Sequence, residues 1–338
     1  MTYETGPIRP PSEAGSLLIR VTRNCPWNRC LFCPVYKGET FSMRPVEEVV
    51  ADIDRAFETH GDTFRKAFLQ DANSICIRTD DLVEIIRHLK ATFPGVDRVT
   101  TYGRAKNLAR KPVEDLVRLR EAGLNRIHVG LESGSQRVLD FMEKGCTIQQ
   151  QIEAGRRVKE AGICLSEYVI LGCGGRAMWE EHAVETARAL NAIDPDFIRV
   201  RTLRIVENTP LYNLEMSGEF QRLTEIEIVR ELRLLIEGLH GTTSQFESDH
   251  SLNLLIEVRG RFPEAKERIL ATIDRFLSLP DHEKEVFVLG RRMGAIRSLQ
   301  DLETEPLLVR EIEAVIARIK ESGRTAEEAA YQLTRRMI

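Results

Sequence analysis

Ser16-Leu-Leu-Ile-Arg-Val-Thr22, followed by Cys25-Pro-Trp-Asn-Arg-Cys30-Leu-Phe-Cys33, governs the reading of everything after it. The first run is short and apolar and reads as a buried strand. The second sets three cysteines within nine residues just past that strand's C-terminal end. Three thiolates this close can hold a four-iron, four-sulfur cluster by three corners and leave the fourth iron open to bind another molecule. A cluster with four protein ligands is mainly an electron carrier. Structural zinc is the plainer alternative. Zinc asks for four ligands, usually with cysteines in pairs, and the nearest further candidates, His60 and Cys76, are distant in sequence.

Outward from this loop, short apolar runs recur at 16–22, 67–70, 98–101, 126–131, 166–171 and 197–203. Amphipathic segments lie between them. Pro45 opens one, with Val46, Val49, Val50, Ile53 and Phe57 on a face. Thr79 is placed to cap the next, which carries Leu82, Ile85, Ile86 and Leu89. Pro112 opens a third and Gly123 ends it. Further helices fit 134–143, 148–162 and 178–192. Regular βα alternation implies a parallel α/β sheet with helical crossovers. An open doubly wound sheet and a curved, partial TIM-like barrel both fit, and periodicity does not separate them. In either, ligands meet the C-terminal ends of the strands, which is where the cysteine loop sits. Around 204–222 the pattern changes, and helices are expected at 222–239, 263–278, 280–293, 304–321 and 324–337. The expected division is a core over 1–215 and an all-helical C-terminal region over 216–338.

Composition narrows the class. Of 338 residues, 42% are hydrophobic and 30% charged, an ordinary globular balance. A net charge of −4 argues against broad nucleic-acid binding. No run approaches the length of a membrane-spanning helix. The N-terminal stretch is polar and lacks the apolar centre of a secretory signal. Seven cysteines, three of them clustered, fit a reducing, cytoplasmic setting and a metal site better than a disulfide framework.

The loop itself, Cys25-x4-Cys30-x2-Cys33 with Phe32 before the last cysteine and Tyr36-Lys37 after it, resembles that of the radical S-adenosylmethionine (radical SAM) superfamily. Its first gap is one residue longer than the superfamily's usual spacing. The likeness continues in His128-Val-Gly-Leu-Glu-Ser-Gly-Ser135, Val138-Leu139 and Met142-Glu-Lys-Gly145. These are similar to the fourth-strand signature of the branch holding oxygen-independent coproporphyrinogen oxidases, elongator-type proteins and methylthiotransferases. Val35 stands where the coproporphyrinogen oxidases carry a further cysteine. The resemblance spans roughly residues 16–215 and implies a partial (β/α)6 barrel. It also implies a [4Fe-4S] cluster on Cys25, Cys30 and Cys33. The open iron binds S-adenosylmethionine (SAM), whose reductive cleavage gives a 5′-deoxyadenosyl radical that takes hydrogen from a small or medium-sized substrate. A one-electron donor such as ferredoxin or flavodoxin is implied too. A non-catalytic iron–sulfur or haem carrier on the same fold is the competing reading.

By that resemblance, cofactor contacts fall on Phe32, on Gln70, Asp71 and Asn73 at the end of strand two, and on Glu132 and Ser133 at the end of strand four. Lys144 and the strand-five end Leu171-Gly172 belong to the same expectation. Asp71 and Asn73 are suited to accept from the SAM ammonium, with an Asx turn as the plainer role. Ser133 can equally cap a helix and Lys144 can be a solvated helix-end lysine. Arg104 past strand three can clamp a carboxylate or form a structural ion pair. Arg199 and Arg201 share one face of strand six, as period two requires; on the barrel interior they are ligands of SAM or substrate, and otherwise they pair with helix carboxylates. Catalytic candidates are Tyr36, Tyr102 and the pair Asp249-His250, with packing or capping as their alternatives. Cys173 reads as a small filler, not a fourth ligand.

Overall fold

The computed structural model describes residues 3–335. Ten strands are β1 Leu17–Arg20, β2 Thr22–Arg23, β3 Ser42–Met43, β4 Lys66–Gln70, β5 Arg98–Gly103, β6 Leu124–Glu132, β7 Cys164–Leu171, β8 Phe197–Thr202, β9 Gln245–Glu247 and β10 Gly260–Arg261. The chain divides into two compact units. One comprises residues 1–131, 139–168 and 192–197. The other comprises 132–138, 169–191 and 198–338.

In the first unit the hydrogen-bonded order is β1-β4-β5-β6-β7. The pairs β1/β4, β4/β5 and β5/β6 are all parallel. Each strand neighbours the next one in sequence, without the reversal that marks a doubly wound sheet. That order is the winding of a barrel wall. The helices over it follow in turn: Val46–His60 packs on Thr79–Thr92, that helix on Val113–Ala122, and that one on Ile148–Glu160. The expected first strand, 16–22, is interrupted at Val21. Its last residues pair instead with Ser42–Met43 in a two-stranded antiparallel ribbon that pins both ends of the cysteine loop. Thr79 does not cap its helix. It is the first helical residue, after Arg78 at the N-cap. Pro112 and Gly123 stand at the two ends of their helix as expected, Gly123 with φ +121°.

In the second unit the hydrogen-bonded order runs β8-β9-β10, with β10 antiparallel to β9. Its helices are Gly175–Ile193, Pro210–Ser217, Glu225–Gly238, Lys266–Ser278, Asp281–Arg292, Asp301–Thr304, Pro306–Glu321 and Ala326–Thr334. Thr224 and Thr325 each close a capping box, with Glu227 and Glu328. The C-terminal region is therefore mainly but not all helical. Two short strands, Gln245–Glu247 and Gly260–Arg261, extend the sheet, and two or three residues are too few to leave a periodic signal. The last residues of the helix expected over 324–337 lie outside the described residues.

Candidate cofactor site

In the first unit the cysteine loop is held by its longer first gap. Asn24 and Asn28 adopt left-handed backbone, φ 67° and 48°, the conformation asparagine tolerates best after glycine. Between them Trp27 is half-buried, and its Nε1 donates to the carbonyl of Glu143 at 2.7 Å. Leu31 N donates to Met142 O at 3.1 Å. Gly145, at φ +71°, leaves the space the indole fills, since a Cβ there would meet the ring. Lys37 Nζ donates to Asn28 O at 3.0 Å, and Asn28 Nδ2 donates back to Tyr36 O.

Beneath the loop, Asp71 has both carboxylate oxygens engaged. Arg20 donates to Oδ2 through Nε at 3.1 Å and Nη2 at 2.7 Å, and Asn24 N donates to the same oxygen at 3.1 Å. The Tyr36 hydroxyl donates to Oδ1. Tyr36 is buried, and burial first, then the Asp71 charge, pushes its phenol far up, so it stays protonated. Gln70 ties down the N-terminal segment, accepting from Gly6 N at 2.8 Å and donating to Ile8 O at 2.7 Å. Asn73 accepts from Arg104 N at 2.8 Å and donates to Asn107 at 3.0 Å. The Arg104 guanidinium reaches Lys144 O at 3.2 Å. Phe32 and Lys144 are half-buried.

Tyr102 belongs to an aromatic stack across successive strands. Its ring is 5.0 Å from Phe68 and 5.8 Å from His128, and His128 is 5.6 Å from Tyr168. Glu13, from the N-terminal segment, seals this stack by pairing with Arg98 at 3.0 Å and lying 3.4 Å from His128. Burial raises its carboxyl, but the hydrogen bonds from His128 and Ser16 and the Arg98 charge outweigh that and bring it to about 2.

In the second unit the strand-four signature is buttressed by the helix Gly175–Ile193. Glu132 takes φ 61°. Ser133 Oγ lies 2.8 Å from His182 Nδ1, Gly134 N donates to Thr186 Oγ1 at 2.8 Å, and Ser135 Oγ donates to Glu181 at 2.6 Å. His182 is fully buried, which pushes it down to about 4 and keeps it neutral. Its Nε2 donates to Ile170 O at 3.1 Å, so Nδ1 accepts from Ser133. At the strand-five end Leu171 is buried and Gly172, at φ +83°, donates to Glu231 Oε2 at 2.5 Å. Glu231 is fully buried, and burial raises it to about 8 against that hydrogen bond, leaving a neutral acid at pH 7.

Arg199 and Arg201 share a face of β8, but Arg199 is buried and Arg201 exposed. Arg199 pairs with Asp249, so Asp249 faces the strand. His250 is pushed down to about 4 by burial, then by Arg201. A small, open cleft lies at the ends of β7 and β8, lined by Gly172, Thr202, Arg204, Arg222, Glu225 and Tyr331 among others.

Arg20, Trp27, His182 and Glu231 had no functional place in the sequence reading. Two left a signal: Arg20 is a lone charge in a buried strand, and Glu231 sits on the apolar stripe of its helix with Ile228, Leu232 and Leu235.

The three cysteines are part-exposed and in no disulfide. Among the described residues no three His, Cys, Asp or Glu close on one metal-ion position. A sequentially wound parallel partial barrel with such a loop after its first strands defines an iron–sulfur α/β enzyme. Residues 19–190, half of the chain, match the Radical SAM superfamily, and the chain belongs to it. It is a radical SAM enzyme, with the [4Fe-4S] cluster, SAM and dependence on an electron donor that membership brings. It is similar to a 3-methylornithine synthase of Methanosarcina acetivorans, 23% identical over 86% of this chain and 79% of that protein. It is also similar to a tRNA-2-methylthio-N(6)-dimethylallyladenosine synthase of Hahella chejuensis, 30% identical over 61% of this chain. The chain covers 47% of that synthase's length. The cobalamin-dependent SAM radical enzyme OxsB, solved with aqua-cobalamin and SAM bound, shares the fold with a TM-score of 0.52 and 15% identity, over 95% of this chain and 54% of that one. No helix among the described residues is long and apolar enough to cross a membrane.

Proposed function

We propose that Cys25, Cys30 and Cys33 hold the [4Fe-4S] cluster and that the chain uses it with SAM to abstract hydrogen from a small molecule. When bound, the cluster and SAM supply reductive cleavage of the sulfonium and a 5′-deoxyadenosyl radical. The observation that carries the reading is the loop: three thiols in no disulfide, on backbone fixed by Asn24, Trp27, Asn28 and the Asp71 network.

The chain's own residues divide the remaining work. Asp71, fully engaged below the loop, positions it, with Tyr36 and Arg20 as its supports, while Gln70 holds the N-terminal segment. Asn73 and Arg104 shape the neighbouring turn, and Phe32 and Lys144 flank the loop as cofactor contacts. In the second unit, Glu132 and Ser133 present polar groups to SAM on a turn fixed by His182. Leu171 and Gly172 present an apolar backbone edge held by Glu231. Arg199 anchors Asp249, while Arg201 and His250 remain the candidates to meet substrate. Tyr102, in the aromatic stack with Phe68 and His128, is the remaining phenol among the candidates.

We place the reductant among ferredoxins or flavodoxins, the protein in the cytoplasm, and the division between core and C-terminal region near residue 215. The cleft is lined by charged and polar groups, Arg204, Arg222, Glu225 and Tyr331, which suits a polar substrate. The likeness to a 3-methylornithine synthase over 86% of the chain favours a small molecule over tRNA.

Anaerobic reconstitution with iron, sulfide, SAM and dithionite tests the core claim. 5′-Deoxyadenosine is expected from the parent chain and not from a Cys25/Cys30/Cys33→Ala variant. Equal product from both would sink the reading.

A further inference from the structure

Positive charge concentrates on the surface of the cysteine loop. Trp27 lies between Cys25 and Cys30, and the charged ends of Arg29, Arg104 and Lys106 stand 5.2, 5.4 and 5.6 Å from its ring centroid. From Arg104 to Lys111 the chain carries Arg104, Lys106, Arg110 and Lys111 and no acid, in a protein whose net charge is −4. Arg29 and Arg110 are exposed, Trp27 and Lys106 half-buried. Among the described residues no carboxylate is ion-paired with Arg29, Arg104 or Lys106. In the same unit, by contrast, Arg23 and Arg44 are neutralised by Glu4, Glu48 and Asp52. The acids close to this stretch in sequence include Glu143, whose carbonyl Trp27 binds, Glu39, whose carbonyl Asn28 binds, and Asp115, which pairs with Arg118.

We propose that this Trp27-centred face docks a small acidic one-electron carrier protein. The inference rests on the radical SAM reading above and adds the place and chemistry of the electron's entry. Electron transfer through protein falls steeply with distance, so a carrier must seat where the cysteine ligands reach the surface. Trp27 and Arg29 are the surface between two of those ligands. Unpaired cations on the rim steer an acidic partner and set its encounter rate. An aromatic ring with cations about it gives a desolvated centre for the contact. In the docked step one electron leaves the carrier, which is oxidised by one. The cysteine-held group is reduced by one, and no proton or bond moves. An RNA would also be drawn to cations, but nothing places an RNA at the cysteines, whereas electron delivery requires that position.

The test compares two reductants on the reconstituted full chain: dithionite, which needs no docking, and reduced flavodoxin. In an Arg29→Glu/Lys106→Glu variant, KM for flavodoxin is expected to rise on the order of tenfold. 5′-Deoxyadenosine formation with dithionite and bound iron should match the parent. The parent's KM should climb with salt and the variant's should not, and Arg29→Lys/Lys106→Arg should behave as the parent. Unchanged KM, or equal loss with both reductants, overturns the proposal. So does a parent that works with dithionite but not with flavodoxin. Loss of tRNA retention on a filter with KM unchanged also overturns it, and makes the face an RNA site. A parent that gives no 5′-deoxyadenosine even with dithionite removes the underlying reading itself.

Discussion

The cysteine loop and the strand-four turn are both fixed in place, by opposite means. The first rests on charge: Asp71 is bracketed by Arg20, the Asn24 amide and the Tyr36 hydroxyl. The second rests on neutral groups in close packing: a neutral His182, Thr186 and a Gly134 set against helix backbone. The Asp71 carboxylate is buried, and the Arg20 guanidinium with the Asn24 amide and Tyr36 hydroxyl compensates its charge. A turn buried against a helix excludes water, and an ion there would be costly.

The largest expected effect is on the packed side. A Cβ on Gly134 would overlap the Glu185 carbonyl and the Thr186 Cα, which are backbone atoms and do not swing away. Gly134→Ala should cost more than the ~3 kcal/mol usual for overpacking, read as a lowered Tm and lost SAM binding. Gly145→Ala on the loop side meets the Trp27 side chain instead, which can move at the expense of its hydrogen bond to Glu143. If Gly145→Ala proves as damaging as Gly134→Ala, the two supports do not differ in kind.

The charged side is tested by Asp71→Ala. It leaves Arg20 and Tyr36 without their acceptor, and removing one member of a buried pair costs about 3 kcal/mol. Iron content after reconstitution should fall with Tm. A variant that keeps full iron would show that the bracket does not hold the loop.

These contrasts mark what was legible beforehand. The cysteine triad, the strands and the core helices were legible because each is local, carried by spacing or by a period of two or 3.6. The role of Asp71 was not. The residue itself stood out at a strand end, but its partners Arg20 and Tyr36 lie 51 and 35 residues away, and only the winding of the sheet brings them together. Arg199 and Arg201 show the same limit: period two put them on one face, yet burial differs along that face. β9 and β10 were missed because strands of two or three residues carry no period.

On the neutral side, pH separates the mechanisms. Glu231 is raised to about 8 by burial, from 4.5 in the unfolded chain. Between those values the folded state holds a proton the unfolded state has lost, so this site's contribution falls as pH rises from about 5 to 8. Glu231→Gln keeps an acceptor for Gly172 N–H and does not titrate. It should lose less stability than the parent between pH 5 and 8, by roughly 3 kcal/mol, in urea titrations at the two pH values. Glu13 runs the other way. Held at about 2 against 4.5 unfolded, its contribution is full above pH 4.5 and is lost as pH falls toward 2. Identical pH profiles for the parent and Glu231→Gln would refute the neutral-acid assignment.

The smallest effect sharpens the charged side. Tyr36→Phe removes one hydrogen bond to Asp71 and leaves the Arg20 and Asn24 contacts. A hydrogen bond to a charged group is worth about 1.5 kcal/mol, so the variant should fold and bind iron with a modestly lower Tm. Its chief value is chemical. Burial and the carboxylate's charge hold the phenol protonated, so Tyr36 is poorly placed to act as a general acid or base during turnover. 5′-Deoxyadenosine formation in Tyr36→Phe should therefore match the parent at equal iron loading. A large loss of product at unchanged iron would make the hydroxyl a participant in the reaction and not a strut beneath the cysteine loop.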